Sequence, residues 1–395
     1  MADLVVTLNA GSSSVKFALF AADAEWPRLM VSGAVEGLGA RPRFRVEIVD
    51  GKASERKLDA TLGHGQAIAE IFNWVEDSYP AATVSAIGHR VVHGGLRYSA
   101  PVIIDAETLA ELKALIPLAP LHQPHNIAGI EGACEAFPHV PQVACFDTAF
   151  HRGHAFVDDA YALPYSYYEQ GLRRFGFHGL SYEYISRRLR IIDPIHAEGG
   201  VIVAHLGNGA SLCALKGGRS IATTMGFSAL EGLPMGTRCG EIDPGLLLYL
   251  LHSEGMTPSE LSHLLYERSG LLGLSGVSHD MRVLEASKEP RAAAAIAYFI
   301  HRIKMEIAAL TAVIGGLDAL VFTAGIGERS TRIRAGVVDG LGWLGLALDK
   351  TANARHESLI SAPQSRIPVF VTPTDEEAMI ARHTIEAAGL SVAAR

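Results

Sequence analysis

The chain has 395 residues, 49% of them apolar, and its 34 Lys+Arg against 42 Asp+Glu give a formal net charge of −8. That length holds two domains of about 100–200 residues, each able to bury its own core. The dispersed basic residues argue against a nucleic-acid partner, and no apolar run reaches membrane-spanning length without a charge or a glycine. There is no charged n-region leading into an apolar h-region either, so the expectation is a cytoplasmic protein with no membrane association. Cys134, Cys145, Cys213 and Cys239 lie far apart with no CxxC pair, which reads as reduced, mostly buried thiols rather than a disulfide frame or a zinc site.

Residues 4–20 (LVVTLNAGSSSVKFALF) read as strand, tight turn and strand: two apolar runs, 4–8 and 15–20, flank a Gly/Ser cluster. Such a turn lets backbone N–H groups approach an oxyanion, with Asn9 and Lys16 at its edges. Taken alone, it is equally an ordinary hairpin with a polar turn. Residues 43–49 alternate apolar and polar, the pattern of an antiparallel strand with one wet face. A helix is predicted over 67–75 and a buried strand over 84–92, which ends in His93-Gly94-Gly95. Asp105 is an N-cap for a helix over 106–115, with Glu107 in its first turn. A Pro/His loop over 117–124, a helix over 127–137 and a strand over 142–146 follow, ending at Asp147.

Residues 151–177 are polar, aromatic and irregular, and a domain boundary is expected near their start. The expected domains are 1–150 and 151–375, with a final helix at about 376–395 packing back on the first. His178, flanked by glycines, leads into a helix over 181–189. Residues 201–215 (VIVAHLGNGASLCAL) repeat the opening pattern of strand, small-residue turn and strand. Two such hairpins at the heads of two domains point to a weak internal duplication and to a pair of phosphate-holding turns. Residues 225–244 read as loop, carrying Arg238. Helices are predicted over 245–252 and 259–266, and a glycine-rich loop over 269–282. A long apolar helix over 291–313 ends at Gly315-Gly316. A strand over 319–323 enters Ala324-Gly325-Ile326-Gly327-Glu328, and a last strand over 369–372 precedes Glu376 and a helix over 378–388.

The sequence holds no GxxxxGK[ST] loop, no GxSxG elbow and no HExxH helix. The pairs His122/His125 and His151/His154 read as polar loop residues rather than metal ligands. Asn9, Arg90, Asp147, His205, Asn208 and Glu376 all fall at or just after predicted strands, where open α/β sheets bind ligands. Each taken singly is also explicable as a strand terminator or a helix cap. As a set they suit phosphoryl transfer, which needs fixed cations, N–H donors and Mg²⁺ around spread negative charge. Arg90 and Arg238 supply planar guanidinium forks, and Asn9 and Glu376 supply oxygens of the kind Mg²⁺ takes.

Seven motifs, NAGSSSVK (9–16), GHRVVHGG (88–95), FDTAFH (146–151), GFHG (176–179), HLGNG (205–209), EGLPMGTR (231–238) and FTAGIGE (322–328), closely resemble those of the acetate kinase family, and the resemblance runs nearly end to end. It implies an α/β protein of two related domains with the actin-like ATPase (ribonuclease H-like) fold and an interdomain active-site cleft. The implied reaction is ATP + acetate ⇌ ADP + acetyl phosphate with Mg²⁺, for which Mn²⁺ can substitute, in a homodimer. Asn9 and Glu376 would then be Mg²⁺ ligands and Lys16 a nucleotide-phosphate contact. Arg90 would bind the carboxylate or the phosphoryl group, Asp147 would be the active-site acid residue, and His178 and Arg238 would stabilise the transition state. His205, Leu206, Gly207, Asn208, Gly209, Asp280, Met281, Arg282, Gly325, Ile326, Gly327, Glu328 and Arg329 would contact ATP. Val92, Leu121, Phe177 and Ala229 would line the acetate methyl pocket.

Acetate, with a carboxyl pKa near ~4.3 like that of Glu, is already ionised at neutral pH and needs no strong base. The expectation is therefore direct in-line transfer, with Asp147 orienting Arg90 or Arg238. A proton-transfer role would show instead as an Asp147-dependent limb in the rate–pH profile. Ala229 (family Pro), Arg329 and His279 (family Asn), Asp375 (family Asn), and Leu180 and Tyr182 within the HGTSH motif depart from the family pattern. The alternatives are a propionate or other short-chain carboxylate kinase and a non-catalytic nucleotide-binding protein of the same superfold. The helix at 291–313 contributes either to a dimer contact or to the core of the second domain.

Overall fold

The structure is a computed structural model that describes residues 3–22, 26–49, 51–59 and 62–390. It separates into two compact units, Met1–Arg152 with Asp375–Arg395, and Gly153–Thr374.

The first unit is built on one sheet: β1 (Asp3–Ala10), β2 (Ser14–Ala21), β3 (Arg28–Glu36), β4 (Arg43–Ile48), β5 (Ala53–Lys57), β6 (Thr83–Val91), β7 (Val102–Ile103) and β8 (Gln142–Phe146). Their spatial order is β5-β4-β3-β2-β1-β6-β8-β7. The opening hairpin forms as read, with Asn9 opposite Lys16 and Ala10 opposite Val15. β1, β6 and β8 run parallel, while β1 to β5 form an antiparallel meander.

Successive side chains point to opposite faces of a strand, so each face of this sheet takes its own helices. Leu4, Val6, Leu8 and Ile87 join one cluster with Ile68, Ile71 and Ala133, from the helices His64–Ser78 and Gln123–Ala136. Gly88 faces the other way, beneath the helix Glu376–Ala387. A Cβ on Gly88 would lie 2.1 Å from Thr384 Oγ1 and 2.7 Å from an Ile380 methyl. Glycine therefore lets this helix settle on β1, β6 and β8.

The second unit carries β9 (Gly200–Leu206), β10 (Ala210–Lys216), β11 (Arg219–Thr223), β12 (Ala319–Thr323) and β13 (Val369–Val371), in the order β11-β10-β9-β12-β13. β9, β10 and β11 are antiparallel neighbours, and β9, β12 and β13 are parallel. This is the same pattern as β3-β2-β1-β6-β8, three antiparallel strands followed by two parallel ones. The two units are thus related α/β domains, the fold class the resemblance implies.

The long helix is Pro290–Ile314, closed by Gly315 in the left-handed region. It buries Ile296, Phe299, Ile303 and Ile307 and packs on β9, β10 and β11, which makes it a core helix of this unit.

Three expectations change. The glycine-rich stretch 269–282 is not all loop: it contains the helix Gly270–Ser275 and leads into Met281–Ala286, which Asp280 caps by accepting from the Arg282 backbone N–H. The Pro/His loop is shorter than read, because Pro124 sits in the first turn of Gln123–Ala136, where a missing N–H costs no helical bond. The irregular segment 151–177 holds two short helices, Phe156–Asp159 and Tyr165–Glu169. The final helix ends at Ala387; the last residues expected for it, 391–395, lie outside the described residues.

Candidate functional site

In the first unit, three parallel strands end side by side. Leu8 pairs with His89, Arg90 with Cys145 and Val91 with Phe146, so Asn9, Arg90 and Asp147 reach the same C-terminal edge. Arg90 donates from Nε to Asp147 Oδ1 at 3.0 Å and from Nη2 to Asp147 Oδ2 at 2.7 Å. This bidentate fork fixes the guanidinium plane. Glu376, in the first turn of its helix, brings Oε2 to 3.7 Å from Arg90 Nε. The Asp147 side chain is 3% exposed and those of Arg90 and Glu376 are 22% and 17% exposed, so the pair is sheltered while the cation still reaches solvent.

Burial pushes the Asp147 carboxyl up, against the pull of the Arg90 charge and its hydrogen bonds. Burial likewise raises Glu376, with Arg90 pulling it down and Glu377 adding to the rise. Burial works against the Arg90 cation too, but Asp147 and Glu376 hold it well above the ordinary arginine value. A permanent cation flanked by reluctant carboxylates is a place where a further positive charge, or an anion on the exposed part of the fork, is welcome.

Asn126 was not foreseen. Its Nδ2 donates to the Ala10 carbonyl at 2.8 Å and its Oδ1 accepts from the Val92 N–H at 3.0 Å. It ties together the strand ends that carry Asn9 and Arg90. Nothing local in the sequence signals this, since the partners lie 116 and 34 residues away. His64 Nε2 sits 2.7 Å from the Gly11 carbonyl and steadies the same turn. Lys16 is exposed and lines a cavity of about 350 Å³ with Asp375 and Glu377. Val92 is buried and Leu121 is 42% exposed.

In the second unit, the turn between β9 and β10 is held by Gly207 N–H donating to the Gly209 carbonyl and Gly236 N–H donating to the Asn208 carbonyl, both at 3.0 Å. His178 begins the helix Gly179–Ile192 from the left-handed region, with φ at 57°. Its Nδ1 lies 2.8 Å from Ser211 Oγ, and its ring stacks on His205 with centroids 4.2 Å apart. His205 Nδ1 in turn lies 2.8 Å from Ser181 Oγ. Arg238 donates from Nη1 to the Ala229 carbonyl at 3.0 Å.

A Cβ on Gly209 would lie 3.2 Å from His178 Nε2 and 3.8 Å from Arg238 Nη1. The two side chains therefore converge on one spot beside the glycine turn.

A cavity of about 330 Å³ in this unit is lined by Gly207, Asn208, Asp280, Met281, Arg282, Gly325, Ile326 and Arg329, all named from the sequence, and by His279, Glu285 and Ser330, which were not named as contacts. Leu206 is fully buried, Gly209 faces His178, His205 is stacked on His178, Gly327 packs near the Ala204 carbonyl, and Glu328 Oε1 accepts from the Thr374 N–H at 3.4 Å; these five do not line the cavity. Hydrogen bonds from the Arg282 side chain pull the Asp280 carboxyl down to about 2, so it stays ionised.

Arg334, fully buried, is a second residue that went unforeseen. Its five described hydrogen bonds include the Gly327 and Glu328 carbonyls at 2.9 and 2.7 Å, and none goes to a carboxylate. It pins the helix Ala324–Arg329 whose first residues line the cavity. Phe177, 3% exposed, directly precedes His178 in the chain, and Ala229 accepts from Arg238 through its carbonyl.

The model of the Acetokinase family matches residues 4–382. An acetate kinase of Methylocella silvestris is 55% identical, covering 98% of this chain and 98% of that protein, and one of Nitrobacter hamburgensis is 53% identical over 97% and 96%. Among solved structures, the Porphyromonas gingivalis acetate kinase superposes with a TM-score of 0.89 at 37% identity, covering 98% of this chain and 100% of that one. A Francisella tularensis propionate kinase does so with a TM-score of 0.92 at 37% identity, over 97% and 99%.

Proposed function

The chain belongs to the acetokinase family and carries that family's activity, phosphoryl transfer between ATP and acetate, and we propose that it works by direct in-line transfer with Mg²⁺. The observation that carries the mechanism is the bidentate Arg90–Asp147 pair. Both Asp147 oxygens are engaged by the guanidinium, so Asp147 orients Arg90 and does not serve as a base. Ionised acetate has no proton to give up. Arg90 binds the carboxylate or the transferring phosphoryl group with its remaining donors. His178 and Arg238, converging beside Gly209, stabilise the charge that spreads over the equatorial oxygens. The 330 Å³ cavity takes the nucleotide, with Gly207, Asn208 and residues of the helix Ala324–Arg329 at its wall.

Asn9 and Glu376 fit Mg²⁺. They are hard oxygen donors, and the raised Glu376 carboxyl gains from a neighbouring cation. Among the described residues no cluster of three or more His, Cys, Asp or Glu forms a metal cage, which suits an ion held by one or two side chains, substrate phosphates and water. Bound there, Mg²⁺ would neutralise phosphate charge; Mn²⁺ would substitute.

The retained Arg90, Asp147, His178 and Arg238 argue against a non-catalytic role, because a nucleotide-binding scaffold needs none of them. A homodimer is supported by the helix Pro244–His252: it reads PGLLLYLLH yet buries no residue, leaving Leu246, Leu248 and Tyr249 exposed. A helix apolar all round is normally covered. No described helix is long and apolar enough to cross a membrane; the use of ATP and the four free cysteines support a cytoplasmic setting.

The test is acyl-phosphate formation, trapped as hydroxamate, with formate through butyrate as acceptors, together with the stereochemistry at phosphorus. Acetate should give the highest kcat/KM, with inversion at phosphorus. Retention of configuration would imply a covalent phosphoenzyme and overturn direct transfer. A higher kcat/KM for propionate would favour the second reading, which the Francisella tularensis likeness keeps open.

A further inference from the structure

His178 has two ring nitrogens, and which one carries the proton decides what it can do. Its Nδ1 faces Ser211 Oγ at 2.8 Å, and its Nε2 faces the space beside Gly209. Ser211 Oγ also lies 2.5 Å from the Tyr182 hydroxyl. The arrangement follows from the chain. Tyr182 N–H donates to the His178 carbonyl, so the two residues are one helical turn apart on the same helix. Ser211 sits directly opposite His205 in the β9/β10 register, and His205 is the ring stacked on His178. The groups around His178 include the His205 ring, Arg238, Ser211 and, through Ser211, Tyr182, with Cys213 acting on the tyrosine.

Ser211 has one proton to give and two neighbours. A phenol is the stronger donor and the poorer acceptor of the two hydroxyls, because its oxygen lone pairs are shared with the ring. Tyr182 is deeply buried, and burial keeps its hydroxyl protonated. Tyr182 therefore donates to Ser211, and a hydroxyl that accepts one hydrogen bond donates the next one more strongly. The Ser211 proton then points at His178 Nδ1, which must be an acceptor.

We propose that Tyr182, acting through Ser211, fixes His178 as the neutral tautomer protonated on Nε2, so that His178 is a hydrogen-bond donor to the transferring phosphoryl group. The proposal rests on the assignment of His178 as a phosphoryl contact. It makes Tyr182 and Ser211 positioning residues, and Tyr182 is one of the places where this chain departs from its family's motif. The tautomer matters because a ring protonated on Nδ1 would turn a lone pair on Nε2 toward an anion and repel it.

The test is long-range proton–nitrogen correlation spectroscopy on nitrogen-15 histidine-labelled protein, recorded above the histidine pKa range, with the His178 signals assigned by their loss in His178→Gln. The wild type should show a protonated Nε2. Tyr182→Phe, which keeps the ring and removes one oxygen, should shift the signals toward the other tautomer. It should also lower kcat on the order of 10-fold, leaving KM for ATP and acetate within about twofold. Ser211→Ala should act in the same direction, and the double variant should be no slower than Ser211→Ala alone, because both act along one path. Thermal unfolding of each variant checks the fold; should Tyr182→Phe not fold, Ser211→Ala carries the same readouts.

A wild-type signal with the proton on Nδ1 would overturn the proposal, as would a Tyr182→Phe spectrum and kcat indistinguishable from wild type. The spectrum reads the tautomer whether or not the protein turns over, so a failure of the acetate assay would fall on the proposed function and leave this result standing.

Discussion

The two units share a five-stranded core and differ in what they set at its edge. In the first, the C-terminal ends of β1, β6 and β8 gather charge: Arg90, Asp147 and Glu376, half-sheltered and mutually paired. In the second, the turn after β9 gathers imidazoles and hydroxyls, those of His178, His205, Ser181, Ser211 and Tyr182, around a glycine turn beside Arg238. One backbone thus supports two kinds of site. In the proposed reaction the charged fork captures a small anion, and the aimed donors meet charge that appears only in the transition state.

The difference can be broken from either side. Arg90→Ala should have the largest effect. It removes the anion fork and leaves Asp147 buried beside Glu376 with no cation between them. A loss of at least about 10³-fold in kcat/KM is expected, with a drop in stability on the order of 2 kcal/mol, less than for a fully buried pair because Arg90 is part-exposed. Steady-state kinetics and urea unfolding check both.

Arg238→Gln should lower kcat about 10²- to 10³-fold while ATP still binds, because it removes a transition-state donor and leaves the nucleotide cavity intact; titration calorimetry with ATP separates the two effects. Gly209→Ala should be milder. The methyl would stand 3.2 Å from His178 Nε2, and kcat should fall roughly 10-fold with the fold unchanged.

The charged edge also carries its own pH signature. Asp147 and Glu376 have raised folded-state values, so the folded chain holds protons there that the unfolded chain has released. Stability from these groups is then greatest at low pH and declines as pH rises from the unfolded carboxylate range, about 4, through the raised values. Glu376→Gln should remove its share of that decline: its Tm relative to wild type should improve as pH rises across that window. A Tm difference that stays constant would mean Glu376 titrates normally. The smallest effect belongs to Ala229→Pro. Ala229 holds Arg238 through its carbonyl, which proline keeps, so kcat/KM for acetate should change less than about threefold.

How much of this was legible in the sequence depends on the range of the signal. The two strand–turn–strand hairpins announce themselves by local apolar runs around small residues, and both form. β5 does not announce itself: all five of its residues are exposed, so it has no alternation to read. The short helix Gly270–Ser275 was masked by the glycines that bound and interrupt it. Within the candidate sites, Arg90, Asp147, His178 and Arg238 were singled out because they stand at strand ends or in glycine-rich loops and their residue types suit phosphoryl chemistry. Asn126, Arg334 and the Tyr182–Ser211 pair were not. They act by holding backbone or another side chain, and their partners come from remote strands and turns that no local pattern connects.

The claim that separates this account most sharply from an acid–base mechanism is that Asp147 works through Arg90. A double-mutant cycle on kcat/KM for acetate, using Arg90→Ala, Asp147→Asn and the pair, tests it directly. If Asp147 only orients Arg90, the double variant should stay within about threefold of Arg90→Ala alone, since nothing is left to orient. A further loss of about 100-fold in the double variant would show that Asp147 acts independently, and would contradict the account.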